Sequence, residues 1–522
     1  TIAITLSASA YDFEADGMYY NILSPSELTC EVTYRDTTYA TYSGDIAIPA
    51  SVSYSGKVFS VTGIGYRAFL YSPITSVTIP GSVSTIGATA LSDCDGLTSV
   101  VIPNSVTSIG ETAFYNCTGL ESVTLPNTLT SIAEATFYNC LALTSITIPS
   151  SVEAIGAYAF RGCSGLTSIA IPDKVTSIED FTFYGCSALT SVTMPDKVTN
   201  IGTAAFYKCT GLTEISLPSS LASMGENAFR SSGLKSVTIP GSLTSIADYA
   251  FAYCAGLSSV PISDGVTSIG KYAFNTCAQL AAVSLPNTLA SISRSAFYDC
   301  TGLTEISLPS SLTSMGEYAF RGTGLKSVTI PGSLTSIPDH AFAACADLSS
   351  VTISNGVTSI GQYAFNKCTG LATVSLPNSL ASIDMSAFYD CAGLSEISLP
   401  SSLTSMGEYA FLGTGLKSVA IPSSLTSIAA YAFALCAELT STTIPSSVTS
   451  IEEGAFYGGS KLASITLPDK LQSIGLVAFY DCEKITSVNI PHSVTDIADG
   501  AFGHCSSLAE ITACAESQSF TA

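Results

Sequence analysis

The chain has 522 residues, a net charge of −22 and only 11% charged residues. An acidic balance this strong leaves no basic patch to release counterions from nucleic acid, and it equally disfavours an anionic membrane surface. Mean hydropathy is +0.43, yet no apolar run reaches the ~20 residues a spanning helix needs. Membrane insertion is therefore not expected, and the apolar residues belong to a core reached from everywhere along the chain.

The N-terminal stretch TIAITLSASA is small and apolar, and Ala8-Ser9-Ala10 has the A-x-A form of a signal-peptidase site. Residues 1–10 read as the remnant of a secretory signal, with an edge strand as the alternative. Residues 11–63 lack the pattern that follows. Asp16-Gly17 and Ser55-Gly56 each lie between apolar or aromatic runs and predict β-hairpins. The segment reads as a β cap over an otherwise exposed first repeat.

From residue 64 to 514 one repeat recurs about twenty times. Its marker is a phenylalanine at Phe69, replaced by Leu91, then Phe114, Phe137, Phe160 and onward to Phe502, every 23 residues with four steps of 22. A period in the 20s is the signature of a solenoid, in which each repeat buries its apolar face only on its neighbours. Several independent globules are therefore not expected. In the repeat 97–119, Val100 and Ile102 alternate with polar or exposed positions and predict a strand, which Pro103 ends. Val106 and Ile109 predict a second short extended segment. Glu111 to Cys117 predicts one or two helical turns, with Ala113, Phe114 and Cys117 inward. Pro338 and an acid one place later, as in Glu111, Asp180 and Asp339, fit the positive N-terminal end of such a helix. Adjacent acids such as Glu226 and Asp248 offer calcium too few oxygens. Residues 515–522 fall out of pattern and read as a truncated tail.

Fifteen of the 17 cysteines, from Cys94 to Cys505, stand three places after the phenylalanine position. Stacked repeats bring them to strand spacing with parallel side chains, whereas a disulfide needs converging Cβ atoms. They read as a buried, reduced core column rather than as disulfides or zinc ligands. The three histidines, His340, His492 and His504, form no triad with serine or cysteine nucleophiles. No catalytic residues, metal ligands or cofactor are expected, and the chain reads as non-enzymatic.

A second period of 91 residues lies over the first: LKSVTIPGSLTSI begins at 234 and again at 325. Function carried by an extended surface is multiplied by such copying. The exposed strand positions are mostly Ser and Thr, which also suit any soluble strand. Glu214 with Lys235, Glu305 with Lys326, and Glu396 with Lys417 mark this face at 91-residue intervals, each pair read as a diagonal ion pair.

The repeat LTSVVIPNSVTSIGETAFYNCTG resembles the leucine-rich repeats of the BspA-like type, also found in treponemal surface proteins. The resemblance covers about residues 64–514, and YDFEADGMYYNIL is similar to the start of secreted members from Bacteroides-type bacteria. It implies a right-handed leucine-rich-repeat solenoid with a parallel strand face, short helical or 3-10 turns opposite, and an N-terminal β cap. It further implies export to the bacterial surface, adhesion to host extracellular-matrix or cell-surface proteins, and no catalytic residues. The six Glu and Lys residues above are the candidate binding positions. A glycan- or mucin-binding surface, or a passive stalk, is the alternative; the absence of tryptophan, a common sugar-stacking residue, favours protein.

Overall fold

The computed structural model describes residues 10–513, which divide into two compact units, 10–257 and 258–513. The readings of residues 1–9 as part of a signal remnant and of 515–522 as a tail lie outside the described residues.

In the first unit, β1 (Phe13–Ala15) and β2 (Met18–Ser24) form an antiparallel hairpin. Asp16 and Gly17 turn it with φ of 51° and 77°, the left-handed pair a two-residue hairpin requires. β3 (Thr29–Thr33) pairs with β2, and β4 spans Gly44–Ala47. A second hairpin joins β5 (Ser51–Tyr54) to β6 (Lys57–Ile64) through Ser55 and Gly56. β6 pairs in parallel with Thr85–Ile86, and β4 pairs in parallel with β7 (Ile74–Thr78). Both ladders of the first coils thus begin on this segment.

Each coil then has three sides. The first strand stacks in parallel register, as in Ser99↔Ser122↔Ser145 with Val100↔Val123↔Ile146. The second is a two-residue strand such as Ser108–Ile109. Its inward side chain, Ile109, joins Leu97, Val100, Ile102, Val106, Ala113, Phe114 and Cys117 in the core. The phenylalanines stack ring on ring within each unit, at 5.4 Å between Phe114 and Phe137 and 5.3 Å between Phe365 and Phe388.

The third side corrects the helical expectation, because no helix forms among the described residues. Alternate N–H groups close three-residue turns, as Ala113 N donates to Gly110 O (3.3 Å) and Tyr115 N to Thr112 O (3.0 Å). The others cross to the next coil: Thr112 N to Glu134 O, Phe114 N to Thr136 O and Asn116 N to Tyr138 O, at 3.0, 2.9 and 2.6 Å. Two residues per coil adopt left-handed φ to aim them, Thr112 at 55° and Asn116 at 57°. That conformation costs a non-glycine residue roughly 1–2 kcal/mol, which the added ladder of hydrogen bonds offsets. The inward spacing looked helical because successive tight turns also return side chains every third residue.

The acids therefore do not cap a helix. Asp180 Oδ1 accepts from Thr203 N at 2.6 Å and Asp339 Oδ1 from Gln362 N at 2.8 Å. Each serves an N–H that the turn side leaves without a backbone partner.

The cysteine column is reduced and buried, with only Cys505 partly exposed among the described residues. The thiols also donate across coils: Cys140 Sγ to Phe114 O at 3.2 Å, and Cys163 Sγ to Phe137 O at 3.0 Å. Where the coil is a residue short, a hydroxyl takes the place. Thr323 and Thr414 each donate to their own phenylalanine carbonyl at 2.9 Å and lie 3.2 Å from the next thiol. Burial pushes the Cys117 and Cys300 thiols up to about 12 and Cys254 up to about 11. A thiol held neutral in the fold but free to ionise when unfolded stabilises fully below the unfolded pKa, near 8.5, and loses that contribution as pH rises toward the folded value. The urea midpoint should fall between pH 8.5 and 11, and in thiol titration at pH 8 few groups should react until denaturant exposes them all. Full reactivity without denaturant would remove the thiols from the core.

Candidate functional site

The strand side carries the six candidate residues, and all are exposed. Glu214 stands opposite Ser236, while Lys235 N donates to Thr213 O at 2.9 Å. Lys326 N and Lys417 N likewise donate to Thr304 O and Ser395 O. Each lysine therefore lies one register place away from its glutamate. Among the described residues no ion pair within 4.0 Å joins Glu305 to Lys326 or Glu396 to Lys417, which corrects the expected diagonal pairing.

These coils differ from their neighbours in another way. The first-strand ladder runs through Ser327–Ile330, Ser350–Ile353 and Thr373–Ser375 but skips the coils of Glu305 and Glu396. There the backbone N–H groups of Glu305, Ile306, Glu396 and Ile397 find no backbone acceptor among the described residues. A polar face of Ser and Thr in register is thus interrupted at Glu305 and at Glu396, two copied glutamates with open backbone donors; at Glu214 an isolated bridge to Ser236 forms instead.

The ion pairs that do form were not foreseen. Lys174–Glu153 (2.7 Å), Arg294–Glu317 (2.9 Å) and Lys461–Glu438 (2.8 Å) link neighbouring coils. All are about half exposed, so each contributes at most ~1 kcal/mol. A double-mutant cycle on Lys461 and Glu438 should give a coupling below that, fading with salt; a larger, salt-insensitive coupling would contradict the exposed geometry.

The turn side bears aromatic columns that sequence reasoning missed. Tyr115 stacks on Tyr138 at 4.6 Å, and Tyr184 on Tyr207 at 4.9 Å. Arg161 lies 4.6 Å from the Tyr184 ring centre. In the second unit His340 is sandwiched between Tyr318 and Tyr363 at 4.5 and 4.8 Å. Burial there pulls the His340 imidazole below its usual value, so it stacks as a neutral ring. The signal was present as tyrosine recurring two places before and one place after the phenylalanine, overshadowed by the stronger Phe and Cys columns. A groove of about 660 Å³ follows this column, lined by tyrosines such as Tyr363 and Tyr409, by His340 and Ser386, and by the cations Arg321 and Lys367. Among the described residues no group of three His, Cys, Asp or Glu is placed to hold a metal, and no helix is long and apolar enough to cross a membrane.

Stacked coils with a parallel strand ladder and a buried Leu, Val, Ile and Phe lattice define a leucine-rich-repeat solenoid. A family profile described as the BspA type leucine rich repeat region matches residues 62–146, 130–258, 244–371, 314–440 and 426–521, and the chain belongs to that family. Among solved structures, a leucine-rich repeat protein from Bacteroides ovatus is 27% identical over 92% of this chain and 95% of its own, with a TM-score of 0.36. A leucine rich cell surface protein from Faecalibacterium prausnitzii is 25% identical over 97% and 95%, with a TM-score of 0.35. No curated protein matches. The family is a repeat scaffold.

Proposed function

We propose that the chain is a non-enzymatic binding scaffold of the bacterial surface that grips an extended protein partner, of the host or of another cell, along its strand side. The observation that carries this reading is the interrupted register of that side: in-register Ser and Thr, broken among other places at two coils whose Glu305 and Glu396 sit beside open backbone donors. Open N–H groups suit the carbonyls of an extended peptide. Cell-surface placement is carried over from the similarity to the F. prausnitzii protein. The net charge of −22 favours a basic partner surface, with attraction screened beyond ~8 Å at physiological salt.

The test is a screen of the intact chain against immobilised extracellular-matrix proteins beside a glycan array. Binding to a protein that persists after the target is deglycosylated supports the reading; binding confined to the array would replace it with the glycan alternative. Lys326→Glu should change the affinity of a protein hit only a few-fold, since one contact among many is altered.

A further inference from the structure

The 91-residue copying places two versions of one surface slot in the second unit, and in one of them the protein shows what the slot holds. Around Ser295 the chain reads SISRSAFYDC (291–300), followed by SMGEYAF (314–320). Arg294 reaches across to the next coil, donates to Glu317 at 2.9 Å and lies 5.2 Å from the centre of the Tyr318 ring. The other face of Tyr318 is covered by His340 from the coil beyond. A guanidinium thus fills a slot made of a tyrosine face and a carboxylate, beside the buried Ser295.

The copy reads SIDMSAFYDC (382–391) followed by SMGEYAF (405–411). Glu408 and Tyr409 reproduce the receptor, and Ser386 is again buried. Tyr431 covers one face of Tyr409 at 5.2 Å. The residue that should cover the other face is Met385, whose sulfur lies 3.8 Å from the Tyr363 hydroxyl, on the opposite side of its coil. No ion pair forms at Glu408 among the described residues. Tyr363 and Tyr409 stand two coils apart, a separation of roughly 10 Å at strand spacing, with Ser386 between them; both rings also line the groove, whose cations Arg321 and Lys367 a guanidinium must avoid by turning to Glu408, outside that lining. Asp384, where the first copy has Ser293, adds a further carboxyl beside the slot.

We propose that the slot formed by Glu408, Tyr409, Ser386 and Tyr363 takes an arginine side chain from a protein partner, in the place Arg294 occupies in the sister slot. A planar guanidinium stacks on a tyrosine face while its N–H groups meet a carboxylate, and arginine from a basic partner matches the acidic chain. The site lies on the turn side and does not depend on the strand-side reading.

Methyl-labelled methionine gives a direct test on the full chain, because only six methionines are present and Met385 borders the slot. N-acetyl-arginine amide is titrated against the isosteric neutral N-acetyl-citrulline amide. The expected result is a saturable shift of the Met385 methyl with arginine, at least tenfold weaker with citrulline, and lost in Glu408→Gln. Arg294→Met should open the sister slot and add a second methyl that responds to arginine. The remaining methyl signals report that each variant is folded. Equal response to citrulline, an unchanged response in Glu408→Gln, a silent new methyl at position 294, or no Met385 shift at all would each overturn the assignment.

Discussion

Replacing Phe388 by Ala should cost about 3–5 kcal/mol, the largest loss expected from a single side chain in this protein. Phe388 has no exposed surface and stacks on Phe365 and Phe411 at 5.3 Å each. Its removal deletes the transfer energy of a ring and leaves a void that two neighbouring coils line. A stacked column closes such a void poorly, because each phenylalanine is tied to the next coil by a backbone hydrogen bond, as Phe388 N donates to Ala410 O at 2.8 Å. Phe388→Leu should cost much less, and Lys461→Ala, at an exposed pair, less than about 1 kcal/mol. Urea unfolding of the three variants gives the ranking. A Phe388→Ala protein as stable as the parent would mean that the ring column does not hold the coils together.

That column was legible in the sequence because it obeys a single strong rule: a large apolar residue every 23 or 22 places has nowhere to go but a shared core. The two strands per coil were legible for the same reason, through Val100 and Ile102, then Val106 and Ile109. The hairpins at Asp16-Gly17 and Ser55-Gly56 followed from residues that tolerate left-handed φ.

The turn side was not legible as it is built. Thr112, Tyr318 and His340 are poor left-handed residues, and nothing local in them announces a φ of 55°, 60° and 57°. Only the hydrogen bonds to the next coil make the conformation worthwhile, and those are a property of the stack. The hydroxyls of Thr323 and Thr414 were hidden behind the loss of cysteine, although they hold the same place in the column. Glu305–Lys326 and Glu396–Lys417 do not close, although Glu153–Lys174, equally 21 residues apart, does at 2.7 Å; sequence spacing alone does not separate the two cases. The slot at Ser386 was legible in principle, from Met385 standing where its copy has Arg294, but its meaning needed the ring and carboxylate that Arg294 meets.

The second large effect concerns binding. If the partner lies along many coils, affinity is assembled from several weak contacts and falls steeply when contacts are removed together. Residues 234–324 form one copied block, and because LKSVTIPGSLTSI begins at both 234 and 325, their deletion rejoins the repeat in register. Each coil contacts mainly its neighbours, so a deletion in register leaves the nearest-neighbour interfaces intact. The shortened chain should therefore remain folded, with its urea midpoint close to that of the parent, while losing the strand-side coil of Glu305.

The most direct measurement is surface plasmon resonance of the intact and block-deleted proteins against the same immobilised partner, with Lys326→Glu beside them. An extended strand-side contact predicts a loss of at least tenfold for the deletion, expressed mostly as faster dissociation, against a change of only a few-fold in either direction for the single substitution. Unchanged affinity after the deletion, together with abolition by one substitution elsewhere, would show a local site and contradict the extended-surface account.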